Sequence, residues 1–121
     1  MSVLTVDDCV PFHAVARQLV QSAPGFTSAG EVASAQEAFR AVESSPPGLV
    51  LMDVQMPDIN GIAATRWIRS RYPDVVVVLI SAEEPAALPT AVFECGAAAV
   101  LRKQDLRPSV LDELWRTQHP R

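Results

Sequence analysis

Five polar residues stand where apolar runs of the chain break off. Asp7 and Asp8 follow residues 3–6, Asp53 follows 49–52, Ser81 follows 75–80 and Lys103 follows 98–101. They are three carboxylates, one hydroxyl and one ammonium. Within a few ångströms of one another the carboxylates would repel, and one would take up a proton unless a cation intervened. An oxygen-only set with an open side suits a hard divalent ion, Mg²⁺ or Mn²⁺. Magnesium retains some of its waters and commonly shares its site with a phosphate. A lysine is a good phosphate partner, and a serine hydroxyl can donate to a phosphoryl oxygen. The set therefore has the parts for a carboxylate that accepts a phosphoryl group. Positioning and charge neutralisation do most of the work in that reaction, and aspartyl phosphates are known covalent intermediates. Taken singly, each residue is ordinary: a strand-end Asp is usually a cap or turn former, Ser81 a turn residue, Lys103 a solvated charge. Their joint placement favours the functional reading.

The elements that would position them follow from hydrophobic spacing. Residues 3–6 form a short, β-branched run bounded by acids, which predicts a strand. Phe12, Val15, Ala16, Leu19 and Val20 recur at helical spacing, with Pro11 suited to a first turn and Pro24-Gly25 to a stop. A second strand is predicted over 26–32, weakened by Gly30. Ser34 and Glu37 have capping-box spacing ahead of a helical stripe of Ala35, Ala38, Phe39 and Val42. Fully apolar strands are predicted over 49–52 and 75–80, with a helix over 62–72 between them, stopped by Pro73. A weaker helix is predicted over 86–95, where Pro89 limits the first turn and Gly96 supplies a stop. A short strand over 98–101 and an amphipathic helix through Leu106, Val110, Leu111, Leu114 and Trp115 complete the chain.

Five strands thus alternate with five helices in an α/β chain. Strands apolar on both faces need helices on both faces, so the sheet should be parallel and doubly wound. All C-terminal strand ends of such a sheet lie along one edge, where open α/β sheets bind ligands. That edge should collect the five polar residues.

These residues resemble a known family. Asp7-Asp8 after the first strand, the stretch Leu51-Met52-Asp53-Val54-Gln55-Met56-Pro57-Asp58-Ile59-Asn60-Gly61, then Ile80-Ser81-Ala82, and Gly96-Ala97 leading to Lys103 resemble the receiver domain of bacterial two-component response regulators. The resemblance covers residues 1–121 as one receiver domain. It implies a flavodoxin-like sheet of order 2-1-3-4-5. It implies that Asp53 is the phosphoacceptor, with Mg²⁺ (or Mn²⁺) bound by Asp53, by Asp8 directly, by Asp7 mainly through water and by the backbone carbonyl of Gln55. Ser81 is then the switch hydroxyl and Lys103 the phosphate-pairing lysine. The implied phosphodonor is a sensor histidine kinase, and the receiver catalyses its own phosphorylation and dephosphorylation without being a conventional enzyme. Phosphorylation would alter the face made by the fourth predicted helix, the last strand and the last helix. That face controls an output domain or partner protein, or a phosphorylation-dependent homodimer, in the service of transcription. The last strand and helix look like those of receivers joined to helix-turn-helix outputs.

The chain departs from the family pattern at two positions. Val100 stands three residues before the lysine, where Tyr or Phe is common, so the coupling of hydroxyl to aromatic is put in question while the phosphorylation chemistry is not. Gln104 stands where many members have proline. Gln55 and Glu83, two residues after Asp53 and Ser81, would flank the phosphate.

Composition bounds the alternatives. The chain has 121 residues, 49% apolar and 20% charged, as in an ordinary globular domain rather than a disordered one. Ten basic against fourteen acidic residues leave a net charge of -4, the wrong sign for direct nucleic-acid binding. The longest apolar run, 75–80, is far short of the roughly 20 residues of a membrane helix. The N-terminus reaches two acids without a basic region, unlike a signal peptide. Cys9 and Cys95 lack CxxC spacing and read as ordinary thiols, so a cytoplasmic setting is expected. His13 and His119 are too isolated for a triad. Trp67 should be partly exposed, against an arginine stem or a partner, and Trp115 should pack in the core. A small aspartyl-phosphate hydrolase is a rival reading, but Asp53-Val54-Gln55 lacks the second acid of the usual DxD pair. A phosphorylation-independent interaction module is another, disfavoured by the intact Asp8, Asp53 and Lys103.

Overall fold

The computed structural model describes residues 1–118; His119 lies outside them. Five strands, β1 (Ser2–Val6), β2 (Thr27–Val32), β3 (Leu49–Asp53), β4 (Val76–Ser81) and β5 (Ala99–Arg102), form one sheet. The order is β2-β1-β3-β4-β5 and every pairing is parallel. The expected order and doubly wound architecture are therefore observed. Among the described residues four α-helices flank the sheet: α1 (Val10–Gln21), α2 (Ala35–Ser44), α3 (Gly61–Arg71) and α4 (Pro108–Gln118). Among the described residues no helix is long and apolar enough to cross a membrane.

Side chains alternate between the two faces of each strand, and the core divides accordingly. Leu4, Val6, Val50, Met52, Val77 and Leu79 pack under α2 and α3 with Ala38, Val42, Ala64 and Ile68. Val3, Leu49, Leu51, Val78 and Ile80 pack on the other face with Val20 of α1 and Leu111 of α4. Central strands covered on both sides explain why 49–52 is apolar without alternation. Each of Leu49, Val50, Leu51 and Met52 is wholly buried, contributing roughly 1.5–3 kcal/mol. This is what holds Asp53, the next residue, at a fixed height on the sheet edge.

The fifth expected helix, over 86–95, is absent. Two 3₁₀ turns replace it, Pro85–Ala87 and Thr90–Phe93. A proline drives the residue before it out of the helical region. Glu84 and Leu88 are accordingly extended, with ψ of 142° and 157°. Two such interruptions four residues apart leave no room for an α-helical turn. Leu88, Val92 and Cys95 nevertheless keep their place in the core. Gly96 follows at φ +98°, as a helix stop would.

Gly30 sits at a bulge: Val3 pairs with Ser28 and Leu4 with Gly30, leaving Ala29 over, and Gly30 has φ +114°. Ser34 caps α2 by accepting the Glu37 N–H at 3.2 Å, while the Glu37 carboxylate accepts from Ala33 N–H and Ser34 Oγ. Trp67 stacks on Phe39 with centroids 4.2 Å apart, and the Arg71 guanidinium lies 4.5 Å over its ring. Trp115 is half-buried against the second core.

Candidate functional site

Asp7, Asp8, Asp53, Gln55, Ser81 and Lys103, the six residues expected at the site, meet at the C-terminal edge of the sheet. Asp7 and Asp8 follow β1, Asp53 ends β3, Ser81 ends β4, and Lys103 follows β5. The register explains the alignment, because Asp53 is paired with Ile80, and Ser81 with Arg102. An open cleft of about 410 Å³ is lined by Asp8, Asp53, Gln55, Ser81, Glu83 and Lys103, among others. It is wide enough for a phosphoryl group and a hydrated ion together. Asp7 lies beneath it, wholly buried.

The local geometry is closely specified. The Asp7 N–H donates to Val32 O at 3.0 Å, and Asp7 Oδ1 accepts the Cys9 N–H at 2.9 Å. Asp7 Oδ2 is buried without a well-directed hydrogen bond and is ion-paired with Lys103 Nζ at 2.6 Å. The same Nζ stands 3.9 Å from Asp53 Oδ2 and 4.9 Å from the centre of the Phe12 ring. Lys103 is therefore held between two carboxylates and an aromatic face. Asp53 Oδ1 accepts the Gln55 N–H at 3.3 Å, and Ser81 Oγ accepts the Glu83 N–H at 3.0 Å.

The loop after Asp53 is fastened at three points. Asn60 caps α3 by accepting the Ala63 N–H at 2.9 Å. The Gly61 N–H donates to Val54 O at 2.8 Å, which lays Gly61 directly on the Asp53 backbone. Asp58 reaches across to α2 and accepts the Ala35 and Gln36 N–H groups at 3.2 and 3.1 Å. The helix N-terminus favours that negative charge.

The electrostatics are those of a crowded acidic site. Burial, then the negative charge of Asp7, push the Asp53 carboxyl up to about 7, with Lys103 opposing. Burial acts against the Lys103 ammonium, but its bond to Asp7 and the charges of Asp53 and Asp7 outweigh this and raise its pKa. Asp7, Asp8 and Asp53 each offer an oxygen within 4.8 Å of the others. Three converging carboxylates, one of them pushed up by burial and by its acidic neighbour, suit a hard divalent cation.

The Asp53 shift implies a pH dependence of stability in metal-free protein. Its folded pKa lies above its unfolded value, so the folded state binds the proton more tightly. That contribution is complete below about pH 4 and is lost as pH rises through about 7. Thermal melts in chelator should thus show a lower midpoint at pH 8 than at pH 5.5. Asp53→Asn should flatten the difference; equal slopes for parent and variant would refute the assignment.

Two contributors were not apparent in the sequence. The His13 ring lies 2.5 Å from Asp7 O through Nε2, and Asp58 accepts the Ala35 and Gln36 N–H groups of α2, beside its Ser34 cap. His13 falls in the first turn of α1, and a helix that starts directly after a strand end returns its first turn to that end.

A family model for the response regulator receiver domain matches residues 3–114. The chain belongs to this family. Among curated relatives, the receiver is 34% identical over 101 residues to response regulator GacA of Pseudomonas protegens, covering 84% of this chain and 47% of that protein. It is 31% identical over 104 residues to the transcriptional regulatory protein DegU of Brevibacillus brevis, covering 86% of this chain and 44% of the relative. The chain thus spans about half the length of the curated relatives it matches. A solved LuxR-family two-component response regulator from Aurantimonas superposes with a TM-score of 0.83 at 29% identity, over 97% of this chain and 83% of that one. The response regulator domain of Thermotoga maritima CheB shares the fold, with a TM-score of 0.82 at 24% identity, over 96% and 94% of the two chains. Proteins of this family are signalling components rather than conventional enzymes. In this receiver Val100 is half-buried against the core, and among the described residues all peptide bonds, including that to Gln104, are trans.

Proposed function

We propose that this receiver is a phosphorylation-dependent switch in which Asp53 accepts a phosphoryl group from a sensor histidine kinase. The observation that carries the reading is the meeting of Asp7, Asp8 and Asp53 within 4.8 Å, with Lys103 Nζ 2.6 Å from Asp7 and 3.9 Å from Asp53. An Asp53 carboxylate oxygen attacks phosphorus, the P–N bond of the phosphohistidine breaks, and the imidazole nitrogen keeps the electron pair. The product is an acyl phosphate on Asp53. Asp7, Asp8, Asp53 and the Gln55 carbonyl would hold Mg²⁺ or Mn²⁺. Such an ion neutralises the gathered negative charge and lets Asp53 act in its ionised form.

The chain's own residues do the rest. Lys103 stands close enough to Asp53 to pair with a phosphoryl oxygen, a move that would draw its ammonium from Asp7. The Ser81 hydroxyl, aligned beside Asp53 by the β3–β4 register, can donate to the same group. Both residues border the segment after β4 and the end of β5. The added charge thereby biases the face formed by the 3₁₀ turns, β5 and α4. Its readout is an output domain or partner acting in transcription, in keeping with the names of the relatives.

Beryllofluoride with Mg²⁺, a mimic of the aspartyl phosphate, tests the assignment. The parent should bind it only when Mg²⁺ is present, and Asp53→Ala should not bind it at all. Equal binding by the two proteins would place the site elsewhere.

A further inference from the structure

We propose that His13 is a positioning residue for the metal-binding acids, fixing the peptide from which Asp8 projects. The inference rests on the reading of Asp7, Asp8 and Asp53 as metal ligands. Asp8 is exposed, and among the described residues its carboxylate has no hydrogen bond or ion pair. Its place is therefore set by its backbone alone. The Asp7 carbonyl and the Asp8 nitrogen belong to one rigid peptide plane. His13 Nε2 lies 2.5 Å from that carbonyl oxygen. A carbonyl only accepts, so Nε2 carries a hydrogen and donates, whatever the charge of the ring.

Other restraints also act on this turn: the Asp7 N–H donates to Val32 O, the Cys9 N–H to Asp7 Oδ1 and the Phe12 N–H to Cys9 O. The first lies before Asp7, and the other two hold the peptides that follow Asp8. Of these bonds, the His13 bond is the one made to the Asp7 carbonyl, in the peptide that precedes Asp8. The helix carrying His13 is itself anchored: Arg17 Nε donates to Glu31 of β2 at 3.0 Å, and Ala16 and Val20 are buried. A rigid α1 thus holds an imidazole donor against the strand end. Partners of this outer kind typically govern metal affinity by about 10- to 100-fold.

Mn²⁺ binding followed by electron paramagnetic resonance, with Mg²⁺ competing, tests the role at pH 8 in the full chain. His13→Ala should weaken binding about tenfold. His13→Gln, whose amide N–H can reach the same carbonyl, should recover most of the loss. Val20→Ala, which loosens α1 away from the site, should leave affinity near the parent's. Parent-like binding by His13→Ala overturns the proposal, as does a His13→Gln no better than alanine. A Val20→Ala loss equal to that of His13→Ala also overturns it, by reducing the effect to general loosening. If the parent binds neither ion, or Asp8→Asn binds like the parent, the metal reading itself fails and the inference falls with it.

Discussion

Replacing Gly61 with alanine should destabilise the protein by about 3 kcal/mol or more, and should also abolish beryllofluoride binding by whatever fraction still folds. A Cβ at this position would overlap the Asp53 carbonyl oxygen and lie 2.9 Å from both Asp53 C and Val54 Cα. These are backbone atoms at the end of a strand buried on both faces, so they cannot swing aside as a flexible side chain would. Relief must come from moving the loop or the end of β3. The Gly61 N–H bond to Val54 O and the Asn60 cap both resist movement of the loop. Moving β3 displaces Asp53 itself. Glycine is needed here for close approach and not for an unusual φ. Urea unfolding and beryllofluoride titration of Gly61→Ala measure the two effects. A variant within about 1 kcal/mol of the parent would contradict the close contact.

Lys103→Met should cost metal-free protein about 3 kcal/mol. Asp7 is wholly buried, and Lys103 is its ion-pair partner among the described residues. Removing one member of a buried pair leaves an uncompensated charge, which is why such losses exceed the small net worth of the intact pair. The lysine side chain is 20% exposed, so the lower end of the usual range applies. Asp7→Asn in the same protein should recover much of the loss, since it removes the charge left behind; the shortfall from additivity measures the coupling. Added Mg²⁺ should also narrow the gap between Lys103→Met and parent. A loss under about 1 kcal/mol would mean that solvent screens the pair as it does at a surface.

These two positions also show what could be read from the chain alone. The strands expected over 49–52 and 75–80, observed as Leu49–Asp53 and Val76–Ser81, are legible because a strand buried on both faces must be apolar throughout, and the polar residue that ends each run marks the sheet edge. The gathering of Asp7, Asp8, Asp53, Ser81 and Lys103 followed from parallel topology without any distance being known. What stayed hidden are contacts between side chains and distant backbone. Nothing local to Lys103 shows that it pairs with Asp7 more closely than with Asp53. Asp58 accepts from the first turn of a helix more than twenty residues earlier, and His13 reaches back to a carbonyl across the strand–helix turn. The missing fifth helix has a different cause. The apolar spacing over 86–95 is real, as the burial of Leu88, Val92 and Cys95 demonstrates. Pro85 and Pro89 override it by forcing Glu84 and Leu88 to be extended, so the same residues reach the core from 3₁₀ turns.

That replacement bears on the switch. The face expected to change on phosphorylation begins, in this receiver, with two short turns in place of a rigid helix, and Val100 offers no ring to move. Arg102 of β5 is ion-paired with Glu84 at 3.3 Å, tying the start of this segment to the strand that leads to Lys103. Signal passage would therefore depend on the Ser81 and Lys103 ends of the site.

The central claim is that Asp53 carries the phosphoryl group. Incubation with a histidine kinase phosphodonor and Mg²⁺, followed by mass-spectrometric mapping of the intact and digested chain, tests it most directly. A single added phosphoryl group is expected, labile to hydroxylamine as an acyl phosphate is, located on the peptide containing Asp53 and absent from Asp53→Asn. A phosphoryl group on any other residue, or undiminished labelling of Asp53→Asn, would contradict it.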